Sequence, residues 1–254
     1  MKYILISLLL VSCNALTVFT GTKSHIDPGL SDIKRSLRDN IEMYFELNES
    51  QSLDKFSSFG NYVLNDATPG GIPLVAAPFG QGLNCGSGAI TSQTLSLSTN
   101  FLTGPSDNLN ISFRVRQQTL AISQSTVIEF NNGKIVLGDA GDGNNTHDLI
   151  LTLQNSPSTF QRSLNDVANL NGGLWVHLSI NIFGNDKVEV YSNGSFVGGS
   201  DANGVINGIS NAGLSLCSGF AGSNVFQGEI SSFGIWRRTL SDNEIRELAD
   251  DGLF

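Results

Sequence analysis

The residues whose types and spacing most clearly suggest a binding site lie in an acidic, asparagine-rich segment at residues 138–148, GDAGDGNNTHD. Carboxylate and amide oxygens grouped in this way are the ligands that Ca²⁺ prefers in proteins. The spacing is not that of an EF-hand loop, and a solvated turn between strands would be rich in the same residues. We therefore predict either a simple turn or a calcium site, the latter formed by Asp139, Asp142, Asn144 and Asp148. No other cofactor is indicated.

The chain lacks the carboxylate pattern expected of an enzyme that cleaves glycosidic bonds. A retaining glycosidase holds two carboxyl groups about 5 Å apart, commonly on an alternating acidic strand. Glu42 and Glu46 share a strand parity but lie opposite an apolar set, which favours a solvated surface. His25, His147 and His177 lack metal-ligand spacing, and no G-x-S-x-G motif occurs. We expect no catalytic residues and a protein that is not an enzyme.

The N-terminal residues 1–15, MKYILISLLLVSCNA, predict a targeting segment, because a lysine precedes an apolar run too short to span a bilayer. Two processing routes stay open. A lipobox at residues 10–13 would leave Cys13 as a lipidated N-terminus, whereas cleavage after Ala15 would release a soluble protein. Either route places the mature chain outside the cytoplasm, as an extracellular protein or one anchored by lipid at the cell surface or outer membrane.

Cys85 and Cys217 are the thiols that remain once Cys13 is lipidated or removed. In an oxidising compartment two such thiols favour a disulfide bond, and the alternative is a pair of buried, unpaired cysteines. The sequence does not supply the Cα–Cα distance that a bridge needs. We predict the bridge.

Composition limits the classes of partner. The chain has 254 residues, 40% of them hydrophobic and 15% charged, and a net charge of −9. This length and apolar fraction suit one well-filled core. The acidic balance argues against a nucleic-acid partner. No segment after residue 15 predicts a membrane span, so we expect membrane contact only through an N-terminal lipid.

Hydrophobic periodicity predicts the elements that position these residues. Apolar residues from Leu30 recur at helical spacing, which predicts a short amphipathic helix within a tether over residues 16–40. The period changes to two at Ile41, where a half-buried first strand is expected with Met43 on the same face. Asn-Gly pairs at 132–133 and 193–194 predict type I′ hairpin turns.

Two central strands alternate most clearly, over residues 109–116 and 176–182, with apolar side chains on one face and polar ones on the other. The chain then closes with a strand and a helix. Strand alternation fails near Ser231 and Ser232, which predicts a bulge or burial on both faces. Ser241 and Glu244 have the spacing of a capping box, and Gly252 predicts a left-handed stop to the helix.

Several segments, taken in order, resemble laminin G-like and pentraxin-like domains of the concanavalin A-like lectin/glucanase class. They are FGQGLNCGSGAI at 79–90, LNISFRVR at 109–116, GGLWVHLSINIFGNDKVEVYSNGSFVGG at 172–199 and the closing segment from Phe226. The resemblance implies an all-β, two-sheet antiparallel sandwich (a concanavalin A-like jelly roll) over residues 41–254, with a short C-terminal helix. Arg114 stands where the family often has Trp. His177 occupies a family position that implies packing in the sheet.

The same resemblance implies a non-catalytic binding module for a glycan or a glycoprotein. One alternative is a structural or adhesion domain that contacts another protein. A polysaccharide-cleaving enzyme of the same fold is disfavoured by the missing carboxylate pattern. Trp175 and Tyr191 have outward strand parity, and exposed aromatic rings stack against sugars. Their exposure therefore distinguishes a glycan binder from a purely structural domain.

Overall fold

The computed structural model describes residues 32–39, 41–45, 55–57, 63–66, 73–86, 95–97, 107–117, 125–130, 133–138, 147–154, 159–168, 173–184, 187–201, 214–219 and 224–252. All of them belong to one compact unit, Ser31–Phe254. Two helices are present among these residues, α1 (Asp32–Asp39) and α2 (Asp242–Asp251). Neither has the length and apolar character needed to cross a membrane.

The strands within the described residues number sixteen in chain order. They are β1 (Ile41–Phe45), β2 (Lys55–Ser57), β3 (Val63–Asp66), β4 (Leu74–Ala77), β5 (Gly80–Asn84), β6 (Leu95–Leu97), β7 (Leu109–Arg116), β8 (Ser125–Phe130), β9 (Gly133–Gly138), β10 (His147–Gln154), β11 (Thr159–Ala168), β12 (Val176–Phe183), β13 (Lys187–Ser192), β14 (Ser195–Asp201), β15 (Leu214–Leu216) and β16 (Glu229–Trp236).

The strands form two large antiparallel sheets and one small one. The first sheet has eight strands in the order β14-β13-β12-β7-β16-β5-β4, with β1 also paired to β16. The second sheet has five, in the order β11-β10-β9-β8-β15, and a third consists of β2-β3-β6. This architecture confirms the predicted all-β jelly-roll sandwich with a short C-terminal helix.

The main core lies between the inner faces of the two large sheets. Alternate residues of β7 and β12, such as Phe113 and Leu178, are fully buried there with Ile128 and Leu137 of the second sheet. Burial of one such side chain contributes about 1.5–3 kcal/mol relative to its exposed state. The alternation read from the sequence therefore identifies the inner faces correctly.

The outer face of the first sheet is also buried, which the alternation did not predict. Asn110, Ser112, Ser179 and Asn181 are at most 2% exposed. The Asn110 amide donates to Ser179 Oγ at 2.8 Å and to Asn181 Oδ1 at 2.9 Å. Asn181 also donates to the Leu240 carbonyl and accepts the Leu240 N–H, at 2.8 and 2.9 Å. A polar strand face tolerates burial because its polar atoms bond one another and the chain leading into α2.

The N-terminus of α2 is fixed by the predicted capping box. The Ser241 N–H donates to Glu244 Oε2 at 2.9 Å, and Ser241 Oγ accepts the Glu244 N–H at 3.4 Å. Arg238 and Ser36 of α1 also donate to the Glu244 carboxylate. Burial raises the pKa of Glu244, but the hydrogen bonds from Arg238, Ser241 and Ser36 outweigh it and lower the pKa to about 2. One carboxylate therefore joins both helices to the chain that follows β16.

The break in alternation in β16 has both of the predicted causes. The register to β7 shifts between Ser231 and Gly234, and Ser232 has a φ of 51°. Every residue of the strand is buried. The bulge falls where β16 changes partner on its other edge, from β5 at Ile230 to β1 at Phe233.

Three local predictions were wrong. Gly133 pairs with Phe130 as the first residue of β9, so Gly133 lies in the strand and not at a central position of the turn; Asn132 lies outside the described residues. Ile41 does not share a face with Met43, because a register shift between them turns Ile41 toward the helices. Gly252 has the expected positive φ of 71°, but its ψ of −165° is extended rather than left-handed helical. The Asn193-Gly194 turn is confirmed, with φ of 46° and 78°.

Candidate ligand-binding face

The predicted Cys85–Cys217 disulfide is present, with the two Cα atoms 5.2 Å apart. Cys85 directly follows β5 of the first sheet, and Cys217 directly follows β15 of the second. The Cys85 N–H donates to the Gly228 carbonyl at 2.8 Å, next to the start of β16. The bridge therefore fixes the ends of β5 and β16 to the opposite sheet.

Most of the other predicted site residues lie outside the described part of the chain. These are Cys13, Asp139, Asp142 and Asn144. Asp148 lies in β10 and is 1% exposed. Within the described ranges, no group of three or more His, Cys, Asp and Glu side chains could hold a metal ion. Calcium binding and lipidation stay predictions.

Two residues with outward strand parity are buried in the assembled domain. His177 is 3% exposed, and burial together with the Arg114 charge lowers its pKa to about 3, so the ring is neutral. Tyr191 is 5% exposed and its hydroxyl donates to Asp242 Oδ1 at 3.0 Å. Burial and that hydrogen bond raise the pKa of Tyr191. Neither ring is available to a ligand.

Arg114 marks the end of the sheet face that α2 covers. Its guanidinium donates to the carbonyls of Leu248 and Ala249 in the last turn of α2, at 2.6 and 2.8 Å. The Phe79 ring closes the same end, with its centroid 4.3 Å from the Arg114 guanidinium carbon. Burial lowers the pKa of Arg114 to about 10, so the side chain stays charged at neutral pH. A cation there matches the negative end of the helix dipole.

A mixed aromatic and polar row of side chains follows at the next outward positions of the first sheet. Trp175 precedes Val176, whose partner in β7 is Val115, so Trp175 lies beside Arg116. Arg116 pairs with Glu229 of β16, and Glu229 pairs with Asn84 of β5. We call Trp175, Arg116, Glu229 and Asn84 together the Trp175 row. It lies about 7 Å along β7 from Arg114, given the rise of a strand.

The Trp175 row combines a supported indole ring with an internal ion pair. Arg116 Nε donates to the Glu229 carboxylate, and the Arg116 guanidinium carbon lies 4.9 Å from the Trp175 ring centroid. A Cβ on Gly82 would meet the tip of the Trp175 ring at 3.1 Å and the Ile230 carbonyl at 2.7 Å. The absence of a side chain at Gly82 therefore gives the indole its space.

Exposure determines which parts of this row a ligand can reach. Trp175 and Asn84 are partly exposed. The Arg116 side chain is 22% exposed and that of Glu229 only 6%. Leu174, which precedes Trp175 in the chain, is 68% exposed. The arrangement can stack a flat apolar face on Trp175 and hydrogen-bond to hydroxyls through Arg116 and Asn84.

Sequence reasoning found only one member of this row. Trp175 was notable for its outward parity. Arg116, Glu229 and Asn84 lie on three separate strands, and their proximity follows from strand order and register, which no spacing in the sequence encodes. Gly82 gave no signal either, because its contact with Trp175 is made across the sheet.

Comparison with known proteins identifies the class. A family model for laminin G-type domains of the concanavalin A-like lectin/glucanases superfamily matches residues 87–246, well over half of the chain. The chain belongs to this superfamily. None of the curated protein sequences compared with the chain matches it.

Solved structures with the same fold include two toxin domains and one enzyme module. The binding domain of Paraclostridial Mosquitocidal Protein 1 is 19% identical with a TM-score of 0.62, over 84% of this chain and 52% of that one. The binding domain of botulinum neurotoxin DC, solved in complex with SialylT, is 17% identical with a TM-score of 0.59, over 86% and 52%.

The third structure is domain 4 of AbnA, a GH43 extracellular arabinanase from Geobacillus stearothermophilus, in complex with arabinotriose. It is 18% identical with a TM-score of 0.58, over 83% of this chain and 98% of that one. The chain thus spans about half the length of the toxin binding domains and nearly all of the arabinanase domain. At these identities the likeness concerns the fold.

Proposed function

We propose that this protein is a non-catalytic module that binds carbohydrate, as a free glycan or on a glycoprotein, through the Trp175 row. The observation that carries the proposal is a partly exposed indole, supported at Gly82 and flanked by the Arg116–Glu229 pair, at the part of the sheet that α2 leaves uncovered. Sugar rings present apolar C–H faces and peripheral hydroxyls, and this surface offers a partner for each.

The comparisons support the same class of ligand. A domain of almost the same extent, from the arabinanase, was solved with arabinotriose, and a toxin binding domain of this fold was solved with SialylT. Both are distant in sequence, so the particular sugar is not carried over.

The carboxylate content of the Trp175 row favours binding without cleavage. Glu229 is its single carboxylate, and it is engaged by Arg116 and nearly buried. Glycosidic cleavage on such folds requires a second carboxyl group, either about 5 Å away for retention or roughly 6.5–9.5 Å away for inversion. None of the other three members of the Trp175 row can supply it.

The disulfide supports a location outside the cytoplasm, because a bridge of this kind forms and persists in oxidising compartments. A lipid on Cys13 would hold the module at a cell surface, whereas cleavage after Ala15 would release it. Calcium bound by the 138–148 segment would add rigidity to that segment. Both features belong to the proposal as predictions from sequence.

The test is binding of the full-length, disulfide-intact protein to an array of neutral and acidic oligosaccharides. We expect binders with micromolar to millimolar affinity, since each exposed hydrogen bond contributes only about 1 kcal/mol net. Trp175→Ala should abolish the binding. Phe196→Ala removes another exposed aromatic ring, 58% exposed on β14, and should leave it unchanged.

Two results would overturn the proposal. An array without any binder would favour the alternative of a structural or adhesion domain that contacts protein. Turnover of a polysaccharide by the purified protein, abolished by Glu229→Gln, would identify an enzyme instead.

A further inference from the structure

We infer that the Trp175 row selects uncharged saccharides, and that the buried Glu229 carboxylate sets this selectivity by neutralising Arg116. The inference rests on the proposed function and goes beyond it, because it names the charge class of the ligand and the residue that determines it. It follows from how the charges of the row are arranged.

Arg116 is the one cation of the row, and its charge is already balanced. Its Nε donates to the Glu229 carboxylate, whose side chain is 6% exposed, while the Arg116 side chain is 22% exposed. Glu229 is thus too buried to serve as a principal ligand contact, and it lies where it neutralises Arg116. The guanidinium keeps N–H groups that can donate to neutral oxygens, since it has five donors in all.

Anionic sugars are disfavoured by this arrangement. A carboxylate or sulfate on a ligand would have to compete with Glu229 for Arg116, and it would approach a chain whose net charge is −9. Oligosaccharides rich in uronic or sialic acids therefore gain little from Arg116. Hydroxyl groups carry no such penalty.

Cationic ligands are disfavoured for a related reason. A partly exposed indole beside a carboxylate is otherwise a suitable site for an ammonium group. Here the Arg116 guanidinium lies 4.9 Å from the Trp175 ring centroid and also holds Glu229. A ligand cation would have to displace it from both partners. What remains for a ligand is the apolar ring and neutral donors, including the Asn84 amide, whose Oδ1 accepts the Gly86 N–H at 3.2 Å.

The experiment exchanges the charge of the row while preserving its shape. Wild-type protein and Glu229→Gln are titrated with the neutral oligosaccharides of the array, and with acidic counterparts that carry sialic or uronic acid. The wild type should bind neutral members with affinity that is almost independent of salt. Glu229→Gln leaves Arg116 without its counter-charge and should bind acidic members about two- to fivefold more tightly than the wild type does at low salt. That gain should disappear in high salt.

A matched control removes a carboxylate from another ion pair on the first sheet. Glu189 of β13 pairs with Lys187 and lies opposite Asn181, about 20 Å along β12 from Trp175. Glu189→Gln changes the net charge by the same amount and should leave the neutral-to-acidic preference unchanged. A folded state is verified for each variant by its disulfide and its thermal unfolding.

The fluorescence of the wild type gives a readout that needs no substitution. Trp236 is fully buried, so a change in acrylamide quenching on addition of a neutral binder reports on Trp175, which is partly exposed. Protection of Trp175 from quenching by neutral binders supports the inference.

Two results would overturn the inference. The wild type could bind predominantly acidic oligosaccharides in a salt-sensitive way, or a folded Glu229→Gln could show no gain in affinity for acidic oligosaccharides. A complete lack of binders would overturn the proposed function instead.

Discussion

At the scale of single residues, the outer face of the first sheet shows how polar side chains become structural. Asn110, Ser112 and Asn181 are buried because each has a partner within the sheet or at the entrance to α2. His177 differs from these three, since its Nδ1 has no hydrogen-bond partner among the described groups. Its neutral form is tolerated there, and a second proton would create a buried cation next to Arg114.

His177 therefore predicts a pH dependence of stability. Its pKa is lowered to about 3 in the folded protein, from 6.5, by burial and then by the Arg114 charge. The contribution of neutral His177 to the free energy of unfolding is complete above pH 6.5. It is lost as pH falls toward 3, at up to about 1.4 kcal/mol per pH unit, because the unfolded chain takes up the proton first. We expect urea unfolding to approach this slope as pH falls from 6.5 to 5.5, while the Glu244 carboxyl is still ionised in both the folded and the unfolded chain.

His177→Leu should flatten the slope in that interval. Because the Nδ1 atom has no partner to lose, the variant should remain within about 1 kcal/mol of the wild type at pH 7. Ordinary carboxylates are almost fully ionised throughout this interval. An equal slope in the variant would mean that other groups cause the acid sensitivity.

At the scale of elements, α2 is held on the first sheet at both of its ends. Its N-terminus has the capping box and the Arg238–Glu244 pair, and its C-terminus has Arg114. A ten-residue helix is marginal by itself, so these contacts and its buried apolar face determine where it lies. Its length also determines which part of the sheet stays uncovered, and thereby where the Trp175 row is accessible.

Arg114→Met should loosen the last turn of α2. The substitution keeps most of the buried stem but removes the donors to the Leu248 and Ala249 carbonyls. We expect the free energy of unfolding to fall by about 1.5–3 kcal/mol, the range for hydrogen bonds that involve a charged group. Hydrogen exchange should be faster for amides at the end of α2, such as the Gly252 N–H that donates to Leu248.

The Arg114→Met measurement has an internal control in the first turn of α2. The Ile245 N–H donates to the Ser241 carbonyl near the capping box and should keep its protection. If stability falls while exchange at the end of α2 is unchanged, Arg114 acts through the sheet or through Phe79 and not through the helix.

Local patterns predicted the elements more successfully than the site. Strand alternation identified the inner faces of β7 and β12, and capping residues located the start of α2. The ten-residue strand β11, TFQRSLNDVA, escaped because it has no clear alternation. The turn predicted at 132–133 was one residue too late, because Gly133 already pairs with Phe130. The sequence does not distinguish the two choices, since the dipeptides 131–132 and 132–133 both suit a turn.

The site itself depends on information that the linear sequence does not carry. The Trp175 row requires the order β12-β7-β16-β5, in which neighbouring strands are far apart in the chain. Likewise, outward parity did not distinguish the partly exposed Trp175 from the covered Tyr191, because α2 covers only part of the face. Which outward residues are covered is a property of the assembled domain.

At the scale of the whole molecule, the Cys85–Cys217 bridge joins the two large sheets near the Trp175 row. Cys85 follows Asn84, and its N–H donates to the Gly228 carbonyl immediately before Glu229. The bond therefore fixes the ends of the two strands that carry the polar half of the row. It links residues 132 positions apart in the sequence.

Removal of this bridge should destabilise the domain strongly. Closing a loop of this length restricts the unfolded chain, and loop-closure entropy gives a loss of about 3–5 kcal/mol when the bond is absent. We expect the Cys85→Ala/Cys217→Ala double variant to show this loss in urea unfolding followed by Trp236 emission. Wild-type protein kept reduced should behave like the variant.

Because Asn84 and Glu229 lose their nearest covalent constraint, acrylamide should also quench Trp175 more readily in the folded double variant. A loss below about 1 kcal/mol, with quenching unchanged, would show that the two sheets hold the row in place without the disulfide.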